Sequence, residues 1–215
     1  MARPVKHDER TRDALVDAAE ALLADGGAAA VTVRAVAERV GESTRAVYSV
    51  FGSRAALMGA VAARGFQLVA DRVDALPVTD DPLADLVTAG VYGFRPFALE
   101  RPHLFRITYH DVSEEIFARP EAIPALMASY RALATRIERA VAAGLLPDRP
   151  VAEYVFSFHS FTCGLAVNEL SRQPPPIGAS FWRRMARTDM GELWQRALTA
   201  YVVGLGLEAD RQPQA

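Results

Sequence analysis

Cysteine occurs once in this 215-residue chain, at Cys163. A single thiol closes no disulfide within the chain, which fits a reducing cytosol. Lysine is equally scarce: Lys6 is the only one, and arginine supplies the other basic side chains. Together with abundant alanine, that bias points to a GC-rich bacterial genome. Net charge is also small, −2 with a pI of about 6.1, so bulk charge does not advertise nucleic acid. No apolar run approaches a membrane span, and no signal-peptide core follows the early basic residues. Alternating strand patterns, internal repeats, glycine-rich phosphate loops, catalytic-triad motifs and paired-carboxylate motifs are all missing. What remains is a chain 51% hydrophobic and 23% charged, a soluble globular composition expected in the cytoplasm.

The most informative stretch is Thr32 to Arg54, TVRAVAERVGESTRAVYSVFGSR. Val33, Val36, Ala37 and Val40 recur at i, i+3, i+4 and i+7, one apolar helix face. Thr32 is placed to cap that helix, with Val31 stapled onto Val36, and Gly41 suits the left-handed residue that stops it. Ser43 is placed to cap a second short helix. On it Val47, Val50 and Phe51 fall on one side, and Thr44, Arg45, Tyr48 and Ser49 on the other. Gly52 ends that helix and Ser53 caps the next. This is the grammar of a helix-turn-helix, in which the second helix turns a hydrogen-bonding stripe towards a major groove. Arg45 can fork onto guanine O6 and N7, and Tyr48 can meet a thymine methyl or a phosphate. Thr32, Arg34 and Arg54 suit phosphate, with Ser43 beside them at a helix start. The plain alternative is an αα-hairpin with a solvated polar face.

These residues carry a resemblance. Asp8 to Phe66 resembles the amino-terminal domain of TetR-family transcriptional regulators. The matching positions are Leu15, Ala18, Ala19, Leu22 and Leu23, then Gly26-Gly27 and Thr32 to Ala37. Gly41, Ser43, Val47-Tyr48, Phe51, Ser53-Arg54 and Leu57 follow. The resemblance implies a helix-turn-helix in which Tyr48 and the basic Arg54 touch DNA. Two departures stand out: Glu42 replaces a usual small apolar residue, and Val50 a usual His or Tyr. Operator sequence therefore does not carry over from relatives, and Glu42 sets a carboxylate near expected phosphates, which either weakens binding slightly or is answered by Arg45 or Arg39. Residues 1–54 hold eight acidic and eight basic side chains, so a DNA face requires the charges to segregate by side.

Around this stretch the periodicity predicts helices throughout, and the fold class is all-α. A flexible arm (residues 1–9) precedes a helix near Arg10 to Asp25, stopped by Gly26-Gly27. Ser53 to about Leu76 forms a long helix. Asp81-Pro82 starts another, with Leu83, Leu86, Val87, Gly90, Val91 and Phe94 inward, kinked or shortened at Pro96 and ended at Arg101-Pro102. His103 to about Asp111 is a short helix, Ser113 to Ile123 a loop, and Pro124 to Ala143 a helix. Val151 to Arg172 is apolar almost all round and is expected to be buried on more than one side. After Pro174–Pro176 and a short helix at Phe181 to Arg187, Met190 to Leu207 shows unbroken 3-4 spacing.

The expected organisation is a DNA-binding domain over 1–54, an effector-binding and dimerisation domain over 55–207, and a polar tail over 208–215. Helices 151–172 and 190–207 are the expected homodimer contact. Phe94, Phe97, Phe105, Tyr109, Tyr130, Phe156 and His159 are the candidate ligand-lining residues, with Trp182 a further aromatic nearby. The family commonly senses small molecules in this region, and the aromatic lining favours an apolar or aromatic effector. Arg95, Arg101, Arg106 and Arg131 are expected at the surface. His159 and Cys163-Gly164 loosely match a carboxy-terminal signature of one TetR subgroup. At i, i+4 they share a face, but no further ligands complete a metal site and no orienting group completes a nucleophile. A packed thiol and a hydrogen-bonded core histidine are expected there, with no metal, cofactor or membrane partner. The functional expectation is a non-enzymatic, ligand-responsive repressor binding a palindromic operator as a homodimer. The alternatives are a helical enzyme or carrier with a non-reading helix-turn-helix, and a DNA-binding activator that senses nothing.

Overall fold

The computed structural model describes residues 9–110, 120, 122–171 and 189–207. All regular structure among them is helical, as expected. The arm before residue 9, most of the loop from Ser113, the Pro174–Pro176 run, the segment with Trp182 and the tail from Glu208 lie outside the described residues. The described chain packs as two compact units, Met1–Gln67 with Arg101–Ala128, and Leu68–Glu100 with Ser129–Ala215. This division by packing runs differently from the division by role expected at residue 54.

In the first unit, α1 (Glu9–Ala30) loses helical geometry at Gly26 (φ −147°) and Gly27 (φ 69°), where the glycine pair was expected to stop it. Leu15, Val16, Ala19 and Leu23 are buried on its inner face. α1 packs on α2 (Val33–Val40), and α2 on α3 (Thr44–Phe51). α4 (Arg54–Asp74) follows, opened by Ser53, whose Oγ accepts from the Ala56 amide at 3.0 Å. Its own Leu57 and Val61 are fully buried. The short α7 (Pro102–Phe105) packs against α1, and Glu20 of α1 accepts from both Arg64 and Arg101. Phe66 and Tyr109 meet edge-on, with ring centroids 5.2 Å apart.

The second unit opens with α5 (Pro82–Thr88), capped by Asp81 Oδ1 accepting from the Ala84 amide at 3.0 Å. The helix expected to continue to Phe94 does not stay α-helical: Ala89–Phe94 winds as a π-helix before α6 (Arg95–Glu100). Pro96 has no N–H to give and its ring crowds the preceding turn. The wider winding lets the Arg95 amide reach back to the Gly90 carbonyl, and both Gly90 and Gly93 become buried. A Cβ at Gly90 would stand 2.5 Å from Leu198 Cδ1, so glycine permits that approach. A second π-helical segment, Arg106–His110, belongs to the first unit and was expected as ordinary helix.

α8 (Ile123–Ala142), α9 (Val151–Leu170) and α10 (Met190–Leu207) complete the described chain. Arg136 of α8 is buried and donates to the carbonyls of Val73, Leu76 and Pro77, at and just past the end of α4. Asp85, also buried, accepts from Arg139 at 2.6 Å and from the Thr79 amide and hydroxyl. Burial alone raises the pKa of Asp85, but these donors outweigh it and hold the carboxyl below its ordinary range.

α9 departs from expectation. Its buried residues, Tyr154, Phe158, Thr162 and Ala166, form a single i, i+4 row, so within one chain it is covered on one face rather than several. Phe156 stands two residues, about 200°, from both Tyr154 and Phe158, and points out of the chain at 73% exposure. α10 likewise buries Trp194, Leu198 and Val202 in its own chain's core. The 3-4 stripe that marked α10 as a dimer helix is therefore its inward face.

Candidate nucleic-acid interface

The reading pair is built by local chemistry. Thr32 is extended (φ −104°, ψ 151°) and its Oγ1 accepts from the Ala35 amide at 3.1 Å. Val31 and Val36, the expected staple, are both fully buried. Gly41 takes the left-handed conformation at φ 71°, and its amide returns to the end of α2. Ser43 repeats the device one helix later, its Oγ accepting from the Ala46 amide at 3.2 Å. Gly52, at φ 73°, closes α3. Both helices are short, so these caps fix where each side chain on α3 points.

Ala46 and Val47 seat α3 in the core, while Thr44, Arg45, Tyr48 and Ser49 are exposed together. Tyr48 is 53% exposed, a large aromatic left in water on the polar side. Thr32 and Ser43 use an oxygen lone pair for capping, which leaves each hydroxyl proton to donate. Arg34 is exposed and its Nε donates to Glu38 Oε1 at 2.7 Å. That largely solvated pair is weak and can yield to a phosphate. Arg39 is occupied by Asp25 at 2.9 Å rather than answering Glu42, whose side chain is exposed. Arg12 of α1 lies over the Phe51 ring, 5.4 Å from its centroid. Arg54 is placed differently from the others: its guanidinium donates to backbone carbonyls, Val31 at 2.6 Å and Ala28 at 2.5 Å.

The candidate ligand-lining residues divide between the units. In the second, Phe94 and His159 meet edge-on at 6.2 Å, Phe97 is fully buried and Tyr130 is half-buried. In the first, Phe105 stacks on His110 and Tyr109 packs against Phe66. Phe156 joins neither set, because it faces outwards. The Cys163 sulfur lies 3.5 Å from His159 Nε2. Burial lowers the pKa of His159, which favours the neutral ring, and raises the thiol of Cys163 to about 12. A thiol so far from ionisation is no nucleophile at neutral pH.

Arg95, expected at the surface, instead forks onto Glu169 through Nε at 2.9 Å and Nη2 at 2.7 Å. Glu169 also accepts from Trp194 Nε1 at 2.8 Å. Glu169 had no local signal, since its partner lies 74 positions away. Among the described residues no cluster of three or more metal-ligating side chains occurs, and no single helix is long and apolar enough to cross a membrane.

A capped helix pair with an exposed, hydrogen-bonding second helix defines a class first: regulatory proteins that read DNA through a helix-turn-helix. Residues 15–61 match the family model described as bacterial regulatory proteins, tetR family, so the amino-terminal domain is that of a TetR-family transcriptional regulator. The whole chain shares its fold with solved structures at low identity. A protein of unknown function from Rhodococcus sp. RHA1 is 21% identical with a TM-score of 0.72, covering 95% of this chain and 100% of that one. SCO7222, a TetR from Streptomyces coelicolor, is 20% identical with a TM-score of 0.66, over 91% of this chain and 97% of its own. RolR, solved in complex with resorcinol, is 17% identical with a TM-score of 0.57, over 96% of each chain. No curated protein sequence matches.

Proposed function

We propose that this protein is a cytoplasmic, non-enzymatic repressor that binds a palindromic operator as a homodimer and releases it on binding a small molecule. The observation that carries the DNA-binding half is the exposed stripe Thr44, Arg45, Tyr48 and Ser49 on a helix capped at both ends. Arg45 reads a base, Thr44, Tyr48 and Ser49 reach bases or adjoining phosphates, and Thr32, Arg34 and Ser43 hold phosphates. The direct test is to recover the DNA fragments that the purified protein retains from its own genome. On such a fragment, Arg45→Ala costs about 1–3 kcal/mol per half-site and relaxes preference at one base pair, read by competition among single-base variants. A loss equal for every base at every position would remove Arg45 from base reading.

One short reading helix makes a small interface, and a dimer on two half-sites solves that. The surface that supports a dimer is the outer side of α9 and α10. Phe156, Val203 and Leu207 are exposed apolar residues there. Gly164 and Gly204 have nothing within 4 Å of a would-be Cβ, although glycine weakens a helix interior. Room of that kind suits the close approach of a second copy.

For sensing, the supported effector is small and apolar or aromatic, taken beside Phe94, Phe97 and His159, a chemistry in keeping with the resorcinol of RolR. The corner between α6 and α7 is the element best fitted to shift, being flanked by two π-helical segments. In the second segment the Thr108 hydroxyl is buried without a partner, whereas α-helical winding would offer it a carbonyl four residues back. A ligand releases DNA only by favouring one arrangement over the other, and the coupling is reciprocal. Operator therefore weakens binding of the effector by the same factor by which the effector weakens binding of operator. Titration of a candidate phenol with and without operator, followed by tryptophan fluorescence, checks this; a bound phenol indifferent to operator would exclude the mechanism.

A further inference from the structure

We infer that Arg54 is a positioning residue for the reading pair, acting through the chain that leads into α2, rather than a contact to DNA phosphate. This rests on the DNA-binding reading above but departs from the DNA contact that the family resemblance implies for Arg54. Arg54 is the first residue of α4, and Gly27, at φ 69°, has already taken the chain out of regular helix before Ala28. Ala28 and Val31 sit in the stretch between that break and α2, where carbonyls lose their helical partners. Arg54 supplies both, with Nε to Val31 and Nη2 to Ala28, across 23 and 26 positions of sequence. Both bonds are charge-assisted, and they use two edges of one rigid fork.

The consequence falls on Thr32. Its amide donates to the Ala30 carbonyl at 2.9 Å, its carbonyl accepts from Val36 at 3.0 Å, and its hydroxyl caps Ala35. Held on one side by Val31 and on the other by α2, Thr32 fixes the end of the helix that carries Arg34 towards phosphate. Arg54 therefore contributes to DNA affinity by setting the orientation of α2 in the free protein. A lysine at this position keeps the charge but offers no planar fork to span two carbonyls. A phosphate contact and a positioning fork thus predict opposite results for Arg54→Lys.

The experiment measures binding of the full-length protein to a duplex selected by the wild type from a random-sequence library, across a range of salt concentrations. Amide exchange at Ala35 and Val36 is followed in the free protein. Arg54→Ala and Arg54→Lys both lose about tenfold or more in affinity, keep the wild-type slope of log K against log salt, and exchange both amides faster. Arg34→Ala, the comparison, flattens that slope by roughly one phosphate per subunit and leaves the two amides protected. Rescue of affinity by Arg54→Lys, or a flattened slope in Arg54→Ala, would overturn the assignment. Unchanged exchange in both Arg54 variants would do the same without reference to DNA. A wild type that selects no duplex would instead remove the DNA-binding reading, with exchange still deciding the role of Arg54.

Discussion

Phe156→Glu yields a folded monomer whose affinity for a palindromic duplex falls by more than about a hundredfold, because one reading head then has to hold DNA alone. At 73% exposure Phe156 contributes little to the packing of its own chain, so a carboxylate there remains in water. In the proposed dimer the same carboxylate is buried against the second copy, and burial of a charge without a partner is costly enough to prevent association. Val203→Glu, at 46% exposure on α10, acts the same way. Leu198→Glu and Val202→Glu behave differently. Both side chains are buried in the core of the chain, so these variants lose the fold before any question of dimerisation arises. Light scattering with circular dichroism separates the outcomes: helical monomers for the outer pair, loss of helicity for the inner pair. A dimeric Phe156→Glu with wild-type DNA binding would place the interface elsewhere.

That contrast marks what the sequence can and cannot convey. The helix-turn-helix is legible because its determinants are local: Thr32 and Ser43 each cap an amide three residues on, and Gly41 adopts a left-handed turn at the end of α2. The stripe on α3 follows from spacing alone. α9 is different. Its sequence is apolar on every side, so periodicity finds the helix but not which face belongs to the chain's own core. Only the partners of Tyr154 and Phe158 decide that Phe156 is outside. The π-helical segments are hidden for another reason: one extra residue per turn leaves the apolar pattern nearly intact, and the Arg95 amide's return to Gly90 has no signature in residue type. Arg54 looks like any basic residue beside DNA until its two carbonyl acceptors are seen. Arg95 and Glu169 lie too far apart in sequence for spacing to pair them.

Glu169→Ala should be strongly destabilising to the second unit. The Glu169 side chain is 9% exposed and serves three N–H donors, two from Arg95 and one from Trp194. Its removal leaves a half-buried guanidinium and a buried indole N–H without their acceptor. Loss of one member of a buried ion pair costs about 3–5 kcal/mol, towards the lower end here because Arg95 retains some contact with water. Glu169→Gln keeps an acceptor for Trp194 and loses only the charge, so it costs about half as much. The pair Arg95→Met with Glu169→Met removes both charges and should recover the part of the loss due to the stranded guanidinium, since apolar replacement of a buried ion pair is often neutral, while the Trp194 N–H stays without its acceptor. α6, α9 and α10 each contribute one member of this network, and α9 and α10 also carry the proposed dimer surface. Glu169→Ala should therefore weaken palindrome binding as well, through a distorted interface rather than an altered reading head. Urea unfolding, followed through Trp194 in a Trp182→Phe background, measures the stability terms. A loss below about 1 kcal/mol for Glu169→Ala, or no recovery in the double variant, would show that the network is not what joins these helices.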